Sequence, residues 1–424
     1  MVHDQKNVIV VSLQKDTKEI SLLIESLEYS IIEKFVQIRK KPDSSSYIGL
    51  GKLSEIKKFI EESSCQIDIA VFNGNLKPSQ WFYLEKELKI EVIDRIRLIL
   101  NIFKDRAKRK EAKLQVKLAE LEYEKPYVKE LIHRARSGEH PGLMAGGEYQ
   151  VDDYYEMIKK QMRLVKQNLK KIQHDREIQR QHRYVSGYYL ISLAGYTNAG
   201  KSSLLQILTE EQVTIEDRLF STLSTLTRKM KDQQIPILIT DTVGFIQSLP
   251  AWIINAFHST LEEIQYSDLV LLVIDGSESL SIFQQKLETS LQELSDLKVT
   301  SPIIIVVNKI DLVEENQLEN KISFLKNHFQ FSGNVIAVIS VKNKQGIMEL
   351  IEMVYCKLPN LISIEMKLPN SNEVQSFISW LHDKTNIIKS TYKDDIYIHI
   401  ECNQKLYSKI ISMCIKNHGN IIKN

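Results

Sequence analysis

Gly195, Tyr196, Thr197, Asn198, Ala199, Gly200, Lys201 and Ser202 spell G-x-x-x-x-G-K-S within a chain of 424 residues. An apolar run at 188–193 leads into this pattern and reads as a buried strand, and residues 203–208 continue from it as a helix. Glycines let successive backbone N–H groups turn towards phosphate oxygens, and the start of a helix adds favourable dipole charge there. In that setting Lys201 would reach the β- and γ-phosphates of a nucleoside triphosphate, and Ser202 would ligate Mg2+.

The base that such a site prefers is written further along. An apolar strand at 303–307 runs into Asn308, Lys309, Ile310 and Asp311, the N-K-x-D arrangement. A carboxylate at Asp311 accepts from both N1–H and the exocyclic amine of guanine, whereas adenine offers no such donor pair, so GTP is preferred over ATP. Ser340, Val341 and Lys342 follow the next strand, 335–339, where a backbone contact to the guanine oxygen is expected. Between the two motifs, Asp241, Thr242, Val243 and Gly244 end a strand at 237–240. Asp241 would hold Mg2+ through water, and the Gly244 N–H would sense the γ-phosphate, which is how a switch loop is ordered. Phe220, Ser221, Thr222, Leu223 and Ser224 lie in a polar, threonine-rich stretch at the right separation for the other switch. Thr222 would be the second protein ligand of the metal, although Thr225 and Thr227 stand close enough to leave a plain loop threonine as the alternative. Phe245 occupies the place where Ras-like GTPases carry the glutamine that orients the attacking water. A phenyl ring can do neither half of that work, so slow intrinsic hydrolysis completed by a partner is expected. Asn198 is placed to ligate a K+ ion bridging the phosphates, the alternative being an ordinary loop asparagine.

These residues need strands and turns to hold them. Up to about residue 100, β-branched runs at 8–13, 31–38, 67–72 and 90–93 alternate with amphipathic stretches at 18–27, 53–60 and 79–88, which predicts an α/β domain with a parallel sheet. Residues 47–52, Tyr-Ile-Gly-Leu-Gly-Lys, interrupt it as a glycine-rich turn that matches no phosphate loop. From 101 to 185 two helical stripes appear: Ala107, Leu114, Leu118, Leu121 and Val128, then Tyr155, Ile158, Met162, Val165, Leu169 and Ile172. The glycine- and proline-bearing stretch 137–147 separates them, so an antiparallel helical hairpin is predicted. A Ras-like P-loop domain over 186–358 and a small α+β module over 359–424 complete the expected order.

The motifs together resemble the HflX family of ribosome-associated GTPases across nearly the whole chain. The resemblance rests on 195–202, 219–223 and 241–246, and on Lys40-Lys-Pro-Asp43, residues 47–52, Val92-Ile-Asp-Arg95, 111–116 and 119–123 in the N-terminal half. At the hairpin tip, Leu143-Met-Ala-Gly-Gly-Glu148 is more similar to archaeal members than to the bacterial pattern, and Ser224 stands where an aspartate is common. The resemblance implies a protein, monomeric when free, that binds the large ribosomal subunit and its rRNA in the GTP state and acts in splitting or rescuing stalled ribosomes.

Charge agrees with a polyanionic partner once it is resolved by region. The chain as a whole carries +2, but residues 95–183 hold 22 Lys and Arg against 13 Asp and Glu, a local +9 that leaves −7 elsewhere. Four cysteines without metal spacing and the lack of a long apolar stretch point to the cytoplasm, with no membrane span. Two other readings remain open: an RNA-remodelling NTPase with a second nucleotide site at residues 49–52, and a nucleotide-gated adaptor that binds protein through the hairpin seam.

Overall fold

The computed structural model describes residues 6–136, 148–185, 187–209, 226–231, 236–242, 244–245, 250, 252–253, 258–329, 335–358 and 361–423. The chain forms two compact units, one built mainly on residues up to Lys171 and one built mainly on the chain from Ile172 onward.

In the first unit β1 (Asn7–Ser12), α1 (Lys18–Glu25), β2 (Ser30–Val36), α2 (Leu50–Glu62), β3 (Ile69–Phe72), α3 (Pro78–Leu88) and β4 (Glu91–Asp94) alternate. The strands pair in parallel in the order β2-β1-β3-β4. Continuous apolar runs such as Val8–Val11 suit a sheet covered on both faces, and these four residues are fully buried. The predicted glycine-rich turn needs correction. The turn ends at Gly49, and Leu50, Gly51 and Lys52 already form the first turn of α2. Asp94 caps α4 (Arg95–Arg106) by accepting the Arg97 N–H at 2.8 Å. Residue 100 therefore falls inside a helix whose Ile96, Leu98, Ile99, Ile102 and Phe103 are buried.

The helical stretch also differs from its sequence pattern. Ala107 lies in the break after α4, and the first long helix is α5 (Lys110–Arg136), followed by α6 (Glu148–Val185). Leu121, Val128 and Ile158 form the seam, with Leu131, Ile132, Tyr154, Tyr155 and Met162 packed around it. Each of the three buried side chains contributes roughly 1.5–3 kcal/mol. A second face of α5, carrying Ala112, Val116, Ala119 and Tyr123, is buried too, which one heptad stripe does not reveal. Residues 137–147 of the hairpin tip lie outside the described residues.

In the second unit β5 (Tyr189–Ala194), α7 (Lys201–Leu208), β6 (Leu226–Lys229), β7 (Ile237–Asp241), α8 (His258–Gln265), β8 (Leu269–Asp275), α9 (Leu280–Asp296), β9 (Ile303–Asn308), α10 (Glu315–Phe329), β10 (Val335–Val338) and α11 (Ile347–Lys357) build a six-stranded sheet. Its order is β10-β9-β8-β5-β7-β6, parallel except for β6, the Ras-like arrangement expected. After β5 the chain moves to one side of the sheet, then crosses to β8 on the other. The carboxyl end of β5 is thus a topological switch point, where open α/β sheets bind ligands.

The same unit ends in β11 (Leu361–Pro369), α12 (Asn372–Lys384), β12 (Asn386–Tyr392), β13 (Asp395–Asn403), α13 (Tyr407–Lys416) and β14 (Asn420–Lys423). The antiparallel order β12-β13-β11-β14 makes this a β-α-β-β-α-β, ferredoxin-like module. No helix among the described residues is long and apolar enough to cross a membrane.

Candidate active site

The phosphate loop closes on backbone conformations that only its own residues tolerate. Gly195 sits at φ +136° where a Cβ would lie 2.1 Å from the Val273 carbonyl oxygen, so glycine alone lets β5 turn beside β8. Gly200, at φ +96°, begins α7, and a Cβ there would meet the Asn308 amide nitrogen at 2.2 Å. Asn198 is also left-handed, at φ +63°, and its side chain is exposed. The result is a loop that ends on the N-terminus of α7, the geometry of an anion cradle.

Lys201 is buried, and its Nζ donates to the carbonyls of Gly195 at 3.0 Å and Tyr196 at 2.7 Å. Burial pushes its pKa down to about 8, against an opposing pull from Asp241. Ser202 Oγ donates to Asp241 Oδ2 at 2.7 Å. A hydroxyl and a buried carboxylate are the hard oxygen donors Mg2+ takes, so Ser202 with Asp241 behind it fits that ion. Thr242 Oγ1 donates to the Leu193 carbonyl at 2.7 Å and holds the two motifs side by side. Gly244 comes so close that an added Cβ would stand 2.8 Å from Lys201 Nζ and from Thr197 N. Phe245 is stapled to the loop: its N–H donates to Gly195 O at 3.0 Å and its carbonyl accepts the Thr197 N–H at 3.1 Å. Its ring meets Tyr196 edge-on, centroids 6.4 Å apart.

The motifs expected to recognise the base converge from neighbouring loops. Asn308 Nδ2 donates to Ala199 O at 2.9 Å, tying N-K-x-D to the phosphate loop, and its Oδ1 accepts the Val341 N–H at 3.2 Å. Lys309, at φ +64°, pairs with Asp275 at 2.7 Å. Ser340 Oγ donates to Asp311 Oδ1 at 2.6 Å, and Ile310 and Asp311 lie in a single 3-10 turn, Ile310–Leu312. Lys342 follows on the same loop and is exposed. Phe220, Ser221, Thr222, Leu223, Ser224 and Val243 lie outside the described residues. Among the described residues no cluster of three or more His, Cys, Asp or Glu forms a metal site.

Three participants escaped the sequence. Lys286 stands over the Tyr196 ring, 5.3 Å from its centroid, and no spacing announces it. Lys321 Nζ donates to Gly276 O at 2.7 Å and supports the same end of the sheet. Asp275, the partner of Lys309, does have a signal: it is the single acid ending an otherwise apolar strand. The N-terminal glycine turn has no comparable cradle. Lys52 pairs with Glu55, the Gly49 N–H is taken by Gln37 Oε1 at 2.8 Å, and buried Tyr47 reaches the Asn73 carbonyl at 3.1 Å across the carboxyl end of β3.

Comparison with known proteins agrees with this architecture. Residues 14–104 match the family described as GTP-binding GTPase N-terminal, 106–183 the GTP-binding GTPase Middle Region, and 190–309 the 50S ribosome-binding GTPase. The crystal structure of SsGBP in complex with GDP superposes with a TM-score of 0.52 at 27% identity, over 84% of this chain and 98% of that one. Fold and site together define a P-loop GTPase that hydrolyses GTP. The GTPase HflX of Thermococcus kodakarensis is 39% identical over 380 residues, 88% of this chain and 85% of that protein, and that of Methanocaldococcus jannaschii is 37% identical over 386 residues, 91% and 92%. The chain belongs to the HflX family of GTPases.

Proposed function

We propose that this GTPase binds the large ribosomal subunit in its GTP state, with the basic hairpin against ribosomal RNA, and is released by hydrolysis, in the splitting or rescue of stalled ribosomes. The observation that carries the gating is the packing of Gly244 against Lys201 and Thr197. A γ-phosphate held by Lys201 is sensed at once by the backbone that leads into the second switch. The partner is supported by the +9 of residues 95–183 and by the match of 190–309 to a family described as ribosome-binding. In this reading residues 1–100 form an α/β domain, 101–185 the RNA-facing hairpin, 186–358 the switch, and 359–424 an accessory module of a cytoplasmic protein that is monomeric when free.

The chain's own groups divide the chemistry. The amides of 198–202 and Lys201 hold the phosphates, Asp311 with Ser340 selects guanine, and Ser202 and Thr222 would hold Mg2+. That ion, when bound, neutralises charge on the β- and γ-phosphate oxygens. Phe245 orients no water, so basal turnover is slow and a partner that completes the catalytic site raises it. Asn198, left-handed and exposed at the rim of the loop, would ligate K+; equal rates in K+ and Na+ buffers would remove that role. Single-turnover hydrolysis with and without purified large subunits tests the whole reading, and an unchanged rate would contradict it. No geometry at residues 49–52 favours the second nucleotide site.

A further inference from the structure

β5 and β7 run side by side as far as Leu193 and Asp241, and the chains that leave them pair once more at Tyr196 and Phe245. This second pairing lies inside the phosphate loop. Because Phe245 N–H donates to Gly195 O and Thr197 N–H donates to Phe245 O, one loop amide is already engaged by the chain that leads into the second switch. Lys201 Nζ meanwhile donates to the carbonyls of Gly195 and Tyr196. A Cβ on Gly244 would stand 2.8 Å from that Nζ and 2.8 Å from Thr197 N. Gly244 thus lies against two donors between which a γ-phosphate has to come.

Side chains hold this pairing together. Tyr196 and Phe245 are both buried and meet edge to face, their planes 75° apart. Lys286 is the third member, its Nζ 5.3 Å from the Tyr196 ring centroid and paired with the Glu278 carboxylate. The Lys286 and Glu278 side chains are only 27% and 22% exposed, and a cation drawn partly out of water is attracted more strongly to a ring face. The helix that carries Lys286 is itself anchored, since Phe283, Leu287, Ser290 and Leu294 of α9 are buried. Tyr196 therefore links a fixed cation on α9 to the residue that follows the D-x-x-G glycine.

We infer that Lys286 is a positioning residue for the nucleotide site: acting through Tyr196, it holds Gly244 and Phe245 on the phosphate loop, so that GTP must displace this pairing to bind and GDP need not. The strength of the clamp is then subtracted from the affinity for GTP alone, because only the γ-phosphate competes for the Lys201 ammonium and the Thr197 amide. The inference deepens the switch proposed above and rests on a γ-phosphate lying between Lys201 and Gly244. It makes no use of the ribosomal partner. Direct contact of Lys286 with the phosphates is the competing role.

The test titrates the full chain with GDP and with a non-hydrolysable GTP analogue in the presence of Mg2+, and reads the ratio of the two affinities. Lys286→Met is compared with Lys286→Met combined with Glu278→Gln, which leaves no carboxylate without its cation, and thermal melting confirms that the variants fold. Both are expected to shift the ratio towards the GTP analogue by roughly three- to tenfold, the range of one cation–ring contact. Lys286→Arg keeps a cation over the ring and is expected to restore the wild-type ratio. Tyr196→Leu is expected to shift the ratio in the same direction, and adding Lys286→Met to it is expected to change nothing more, since the lysine acts through the ring. An unchanged ratio in both methionine variants overturns the clamp, and so does a full additive shift in the Tyr196→Leu background. A ratio that moves towards GDP makes Lys286 a phosphate ligand and also overturns it. Lys201→Ala separates the two levels: a ratio that depends on Lys201 but ignores Lys286 removes only the clamp, whereas a ratio indifferent to Lys201 removes the γ-phosphate from that site and the proposed switch with it.

Discussion

Asp311 has one carboxylate oxygen held by the Ser340 hydroxyl at 2.6 Å, and in the proposed reading this bond sets the carboxylate for a guanine edge before nucleotide arrives. Asp311→Asn replaces an acceptor pair by an acceptor and a donor. GTP affinity is expected to fall by at least about tenfold, from two charge-assisted bonds each worth roughly 1.5–3 kcal/mol, while xanthosine triphosphate gains affinity. Competition binding with the two nucleotides reads this directly, and an unchanged preference would remove Asp311 from the base site. Lys201→Ala is expected to slow single-turnover hydrolysis on the order of 100-fold or more. A separate residue gives a pH signature. Asp94 is buried, accepts the Leu76 and Arg97 N–H groups and the Tyr123 hydroxyl, and burial raises its pKa above the usual 3.8. The folded chain therefore keeps this proton at pH values where the unfolded chain has released it, and stability falls as pH rises through that window. Urea unfolding of wild type and Asp94→Asn between pH 4 and 7 should show a downward slope in the wild type that the variant lacks. At this scale the phosphate loop, N-K-x-D and D-x-x-G were legible because phosphate and guanine demand fixed residue types at fixed spacing. Lys286 over Tyr196 was not, because α9 brings it there from 90 residues away.

Elements position those residues through close approaches that sequence only hints at. Gly195 passes the Val273 carbonyl with no space for a methyl group, in a conformation costly to other residues by about 1–3 kcal/mol before any clash. Gly195→Ala is expected to abolish nucleotide binding and lower the urea midpoint; wild-type values for both would show that the strand can shift. The parallel sheet of the first unit was readable from its β-branched runs, and of the α6 stripe Tyr155, Ile158 and Met162 join the seam while Leu169 and Ile172 do not. The start of α2 was misplaced because Gly51 and Lys52 were assigned to a turn, whereas only Gly49 is needed outside the helix. Ala107 was drawn into the hairpin because it falls in phase with α5 although the chain breaks before Lys110. β12 and β14 went unread: their pairing with β13 and β11 comes from the fold, and alternation on β12 is disturbed by a register shift between Ile387 and Lys389.

Across the second unit, specific bonds join the GTPase sheet and the ferredoxin-like module. Lys405 Nζ reaches Asp268 Oδ1 at 2.8 Å, the side chains being only 17% and 13% exposed, and Asp268 Oδ2 accepts the Leu190 N–H at 2.9 Å. Leu406 packs against Gly187, where a Cβ would intrude to 2.3 Å. Removing the cation by Lys405→Met leaves Asp268 buried without it. A loss of about 3 kcal/mol, or roughly 6–12 °C in melting temperature, is expected by calorimetry. A shift under 1 °C would make the pair incidental. The overall charge of +2 concealed a basic stretch at 95–183 and a more acidic remainder, and the match to the GTPase family, 190–309, falls in the second unit. That division of labour is the account's central claim, and co-sedimentation with large ribosomal subunits in GDP and in a non-hydrolysable GTP analogue tests it most directly. The account predicts salt-sensitive binding with the analogue and little with GDP. Equal binding in both states, or none in either, would contradict it.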